Sequence, residues 1–123
     1  MSIGDLVQTA DWKKEKHAPV IDCPDEVAAD EFFMVQVGVG KEIAHPNTAE
    51  HHISWIALYF QPEGDKFPYH VGRFEFSAHG EGGAFTASKA GAGLKVDKPG
   101  TLYAVSYCNL HGLWESSKAI SIS

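Results

Sequence analysis

"TLYAVSYC", residues 101–108, decides the fold. It follows the turn signal "KPG" (98–100), alternates with a period of two, and is rich in β-branched and aromatic residues, so it reads as a β-strand. Working outward, the same character returns in "FFMVQVGV" (32–39), "ISWIALYF" (53–60), "HVGRFEFSA" (70–78), "LKV" (94–96) and "KAISIS" (118–123). "HAPVI" (17–21) reads as a short edge strand, because Pro19 is tolerated only at an edge or at a strand start. "PEGD" (62–65) supplies another turn. No stretch carries a sustained helical stripe; at most a single turn is expected near "TADW" or "DEVAAD". The Gly/Ala-rich "HGEGGAFTASKAGAG" (79–93) reads as a long surface connection. These strands predict an all-β chain, an immunoglobulin-like antiparallel β-sandwich of about seven strands. With no internal repeat and no boundary, residues 1–123 read as one domain.

The totals narrow the function. A hydrophobic share of 44% and a charged share of 21% describe a globular chain. Ten basic residues against sixteen acidic ones give a net charge of −6 without a long basic run, which argues against nucleic acid and anionic membrane as partners. The opening "MSIGDLVQTADWKKEKH" lacks a basic segment followed by a sustained apolar run, so a cytoplasmic setting is expected. Such a setting disfavours a disulfide between the two cysteines, Cys23 and Cys108. Seven histidines are many for this length.

Several of those histidines fall at strand ends or in loops, where a rigid scaffold usually carries binding groups. His17 ends "KKEKH"; His45, His51 and His52 lie in "GKEIAHPNTAEHH"; His111 lies in "CNLHG". Six extended residues would hold His45 and His51 about 20 Å apart, so they share a site only if Pro46-Asn47 folds the loop back. Cys108 ends a strand, and a tight run to Gly112 brings His111 beside its sulfur, a half-site suited to a transition metal. Against this stand simpler readings. A loop histidine is usually just solvated, a buried cysteine usually acts as a small hydrophobe, and C-x-x-H alone is a weak motif. The order Cys23, Trp55, Cys108 also imitates an immunoglobulin disulfide pattern, although Cys23 sits in the acidic turn "DCPDE". Metal ligand, inert core residue and disulfide remain open for Cys108, in that order.

Taken together, "DWKKEKHAPVI", "VQVGVGKEIAHPNTAEHHISWIALYF", "VGRFEFSAHGE" and "LYAVSYCNLHGLWE" resemble the superoxide reductases of the one-iron neelaredoxin type, over nearly the whole chain. The carrying motifs are E-K-H, H-P-N-x-x-E-H-H and C-N-x-H-G-x-W. The resemblance implies one mononuclear non-haem iron held by His17, His45, His51 and His111 in a plane, with Cys108 as the axial thiolate. It implies that His111 binds through the other ring nitrogen than the first three. Glu15 and Lys16 match the family's mobile pair beside the open position, with Glu15 a ligand to ferric iron. The implied reaction is the one-electron reduction of superoxide to hydrogen peroxide, with dismutase-type activity at the same iron as the near alternative. A rubredoxin-like electron donor and a homotetramer are implied as partners.

Around that set, His52 is left for packing or support, and His70 and His79 fall outside the motifs as surface or packing residues. Asn47 and Glu50 are candidates to brace the histidine loop. Trp12, Trp55 and Trp114 are expected to pack the sandwich or shield the site. Backbone N–H groups near Asn109 and Leu110 are expected to hydrogen-bond the Cys108 sulfur. Lys13, Lys14 and Lys16 form a local positive rim that offsets the negative net charge towards an anion. A cupredoxin-like electron carrier is the rival from another class, but "HGLWESSKAISIS" offers no methionine after the final histidine. A metal-free interaction module is the third reading.

Overall fold

The computed structural model describes residues 1–123 and is built almost wholly of strands. In chain order they are β1 Gln8–Thr9, β2 Val20–Asp22, β3 Glu26–Val27, β4 Phe33–Gly38, β5 Ile53–Pro62, β6 Tyr69–Glu75, β7 Lys89–Leu94, β8 Gly100–Cys108 and β9 Gly112–Ile122. Two short 3-10 turns, Ile3–Leu6 and Glu81–Gly83, are the only helical pieces. One sheet runs β1-β9-β8-β5-β6, with β3 also paired to β9; the other runs β2-β4-β7. Pairing is antiparallel except where β1 and β3 join β9 in parallel. No helix is long and apolar enough to cross a membrane.

The long strands obey the alternation read from the sequence. Along β8, Leu102, Ala104, Ser106 and Cys108 point inward and are fully buried. Across the interior, Val35 and Val37 of β4 join Ile56 and Leu58 of β5 in the apolar core. Burying side chains of this kind contributes roughly 1.5–3 kcal/mol each, and this drives the two sheets together. Cys108 belongs to the same core cluster, so the strand that anchors the sandwich ends on a thiol.

The structure corrects three sequence expectations. The stretch 79–93 is not wholly a connection, because β7 occupies Lys89–Leu94 and pairs with β4 along its length. Ala90, Ala92 and Leu94 face inward there, and the intervening Gly91 and Gly93 weaken any hydrophobic alternation. "LKV" contributes only its first residue, Leu94, to that strand; Val96 is buried without strand pairing. Finally, β1, β3 and the first half of β9 were not legible as strands: β1 and β3 hold two residues each, paired to β9.

Two glycines shape the loops that follow the strands. Gly112 adopts φ +79 where β8 turns into β9, and Cys108 pairs across that turn with Gly112 itself. Gly40, at φ +90, lets the chain pass so close to itself that a Cβ there would stand 2.9 Å from the His45 nitrogen. Only glycine supplies both that backbone angle and that clearance.

Candidate metal centre

Four imidazoles close into a square at one end of the sandwich. Ring centroids of His17 and His45 lie 4.8 Å apart, His45 and His51 4.6 Å, His51 and His111 5.0 Å, and His111 and His17 4.8 Å. The diagonal from His17 to His51 is 6.2 Å. Neighbouring rings meet edge to face, so each turns one nitrogen inward. Ligand atoms of His17, His45, His51 and Cys108 all lie within 4.8 Å of one another. His111 Nδ1 joins them, 3.0 Å from His17 Nε2 and 3.8 Å from Cys108 Sγ.

Each group reaches this point by a separate route. His17 precedes β2, and Ser106 and Ser116 fasten its segment by donating hydroxyl hydrogens to the carbonyls of His17 and Pro19. The loop after β4 brings His45 back, as folding at Pro46-Asn47 requires, and His51 stands two residues before β5. Cys108 ends β8, and the short turn to Gly112 carries His111. Asn109 joins the two loops: its Oδ1 accepts the His52 N–H, its own N–H donates to the His52 carbonyl, and its Nδ2 donates to the Glu50 carbonyl. The Asn109 N–H is therefore committed to His52 and not to the Cys108 sulfur. Trp114 stacks on His17 with centroids 4.9 Å apart and donates its indole N–H to the His111 carbonyl.

The tautomers suit a cation. His45 donates Nδ1–H to the Pro46 carbonyl at 2.7 Å, which leaves a lone pair on Nε2. The Nε2 atoms of His45 and His51 are buried without any hydrogen-bond partner. Unpaired buried polar atoms are costly, and two of them aimed at one point beside a thiol fit a bound metal ion. Burial, aided by the nearby His17, His51 and Lys16 charges, outweighs the Pro46 hydrogen bond and pushes His45 from 6.5 down to about 4. His51 is lowered by burial and by His111, Lys16, His17 and His52. Both rings are thus neutral donors near neutral pH. Five protein donors, four imidazole and one sulfur, exceed the four of a closed zinc site and suit iron.

Glu15 and Lys16 flank His17. The Glu15 carboxylate accepts from the backbone N–H groups of His17 and Ala18 and contacts His17 Nδ1. Its partial burial would raise it, but the His17 and Ala18 hydrogen bonds and the His17 charge win and hold it below its ordinary 4.5. The carboxylate thus sits on the outer side of His17, away from the inward nitrogens. Lys13 lies over the Trp12 ring, and Lys41 approaches the same ring. Of the other residues, Cys23 is a free thiol packed against the core edge, and His70 lies against Tyr59. Trp55 stacks on Tyr107 beneath Arg73. His79 is buried, which fits the packing alternative of the two expected for it. Sequence reasoning missed Ser106, Ser116 and the double clasp of Asn109. The available signal for Ser106 was a hydroxyl at an inward strand position, which must find a buried partner.

Fold and site together define an all-β protein with a histidine–cysteine metal-binding centre at one end of its sandwich. The desulfoferrodoxin family pattern matches residues 9–117, and the chain belongs to that family. It is 59% identical to neelaredoxin of Megalodesulfovibrio gigas, covering 99% of each chain. It is 52% identical to superoxide reductase of Pyrococcus furiosus, covering 93% of this chain and 95% of that one. A Thermotoga maritima protein, solved as a candidate superoxide reductase, superposes with a TM-score of 0.97 at 49% identity, covering 100% of this chain and 98% of that one.

Proposed function

We propose that the protein is a superoxide reductase, an oxidoreductase that carries out O2•− + e− + 2H+ → H2O2 with its whole chain as one iron-binding unit. The carrying observation is the closed square of four imidazoles with the Cys108 sulfur against it. His17, His45 and His51 would hold one iron ion through Nε2, His111 through Nδ1, and Cys108 through Sγ. Iron held there would supply the reducing electron.

The chain's own residues do the rest. Cys108, fully enclosed in the core, would present its sulfur to the ion from a setting that excludes water. His111 is exposed, so the site meets solvent and two protons can arrive from water. Lys16 adds positive charge beside the square and draws the anionic substrate in over short range, where the distributed negative charge of the chain is screened. Glu15 would serve as a further ligand to the oxidised ion, which requires its carboxylate to leave the His17 and Ala18 N–H groups. The electron comes from a separate donor, a rubredoxin-like iron protein in keeping with the family resemblance, and a homotetramer is the proposed assembly.

Metal analysis and anaerobic pulse radiolysis test this reading. About one iron per chain and a fast reaction with superoxide that leaves ferric iron and peroxide are the expected results. Copper in place of iron would point to the electron-carrier reading. Full-rate consumption of superoxide without reductant, with release of O2, would point to dismutation.

A further inference from the structure

His79 lies beyond β6, outside every motif that builds the square, yet it is only 7% exposed. Its two ring nitrogens both meet oxygen. Nδ1 stands 2.7 Å from Asn47 Oδ1, and Nε2 stands 2.6 Å from the Phe76 carbonyl. A backbone carbonyl only accepts, so Nε2 carries a hydrogen. The Asn47 amide is oriented by its Nδ2, which donates to the Thr86 carbonyl at 2.9 Å, so Oδ1 is the atom facing His79. The ring is thus held at both nitrogens by oxygen atoms from two separate segments of the chain. The face of the same ring stacks on His52, with centroids 3.6 Å apart and planes 6° from parallel. Glu81 holds the backbone at the same point: its Oε1 accepts the His79 backbone N–H at 2.8 Å. That hydrogen bond and one from its own backbone N–H hold Glu81 low, against the opposing effect of burial.

These contacts converge on the metal centre without reaching it. Asn47 is two residues after His45, and His52 directly follows His51. Through one nitrogen and one ring face, His79 grips the residues that flank both histidines whose Nε2 atoms are buried and unpaired. Its second nitrogen ties that grip to the chain just beyond β6. We propose that His79 is a positioning residue for the metal centre, an imidazole whose hydrogen bonds and stacked face fix the His45 loop against the His51 segment and so set the spacing of two ligand nitrogens. The proposal rests on the iron-site reading above. Groups that hold metal ligands in place in this way typically account for roughly 10–100-fold in metal affinity.

The test uses the full chain, wild type and two variants. His79→Phe keeps a flat ring over His52 and removes both ring nitrogens; His79→Gln keeps one amide donor. Fe2+ is titrated anaerobically against a competing chelator, and the ferric visible spectrum is recorded, at a temperature where circular dichroism shows each variant folded. Affinity is expected to fall by about 10–100-fold in His79→Phe and by less in His79→Gln, with a shifted ferric band in both. Should His79→Phe fail to fold, His79→Gln alone carries the comparison. Wild-type affinity together with a wild-type spectrum in the folded variants overturns the proposal, since a residue that only packs would lower the melting temperature and leave both readouts unmoved. A wild-type chain that takes up no Fe2+ instead overturns the iron-site reading.

Discussion

Asn109 and His52 bind each other twice, through Asn109 Oδ1 to the His52 N–H at 2.8 Å and through the Asn109 N–H to the His52 carbonyl at 3.2 Å. This reciprocal pair locks the turn bearing Cys108 and His111 to the segment bearing His51. Asn109→Ala removes the side-chain acceptor and the Nδ2 donor to Glu50 while leaving the backbone bond. The expected cost is about 1–3 kcal/mol, because the His52 N–H loses its partner in a partly buried place. Urea unfolding of the metal-free protein measures it, and an unchanged midpoint would refute the clasp.

Acid should destabilise the metal-free chain in a defined window. His45 falls from 6.5 to about 4 in the fold, so the unfolded chain binds a proton that the folded chain refuses. Stability from keeping this ring neutral is complete above 6.5 and is lost as pH drops towards 4. His51 shifts the same way and adds to the effect. Urea midpoints should therefore decline on going from about pH 7 to about pH 5. His45→Gln should flatten that decline; a variant with the wild-type slope would remove His45 as its source.

Lys16→Ala tests the attraction of the substrate. Loss of one positive charge beside the square should slow the second-order reaction with superoxide by roughly two- to tenfold and weaken its salt dependence. Iron content should stay at the wild-type level. Pulse radiolysis at several ionic strengths reads both quantities, and an unchanged rate would take Lys16 out of the mechanism.

Glu15→Ala separates two roles of one carboxylate. Loss of its hydrogen bonds to the His17 and Ala18 N–H groups should cost about 1–2 kcal/mol of stability. Loss of the proposed ferric ligand should alter the visible spectrum of the oxidised protein with little change in the reductive rate. A lower stability with an unchanged spectrum would leave Glu15 as a brace for His17 and nothing more.

Much of the architecture is visible in residue order because alternation survives in the long strands. Val35 and Val37, or Leu102 and Ala104, announce an inward face by their spacing alone. β7 escaped because its outward positions include Gly91 and Gly93, which leave no polar partner to the inward alanines. β1 and β3 escaped because two-residue strands carry no period; their pairing is decided by β9. At the site, the five donor residues stand out in their motifs, and the need for Pro46-Asn47 to fold back follows from chain length. What the motifs do not contain is the scaffolding drawn from distant positions. Ser106, Ser116, Asn109 and His79 act through contacts 57 or, for the His79–Asn47 bond, 32 residues away and more. Such partners have no local signature, since any serine or histidine can fill the same sequence position without them.

An enzyme proposed to make hydrogen peroxide must outlast its own product, and the placement of the two sulfurs bears on its working lifetime. Peroxide attacks a thiolate that it can reach and drives it towards sulfenic and sulfinic acid. Cys108 has no exposed surface at all: β8 seals it from within, and the four rings stand on its outer side. Cys23 is partly accessible, but burial, with Asp25 and Asp22 opposing the help of Lys118, pushes its thiol above the ordinary 9.0, so little of it is ionised near neutral pH. One sulfur is guarded by enclosure and the other by its reluctance to lose a proton, two separate defences against the oxidant that the proposed reaction would release.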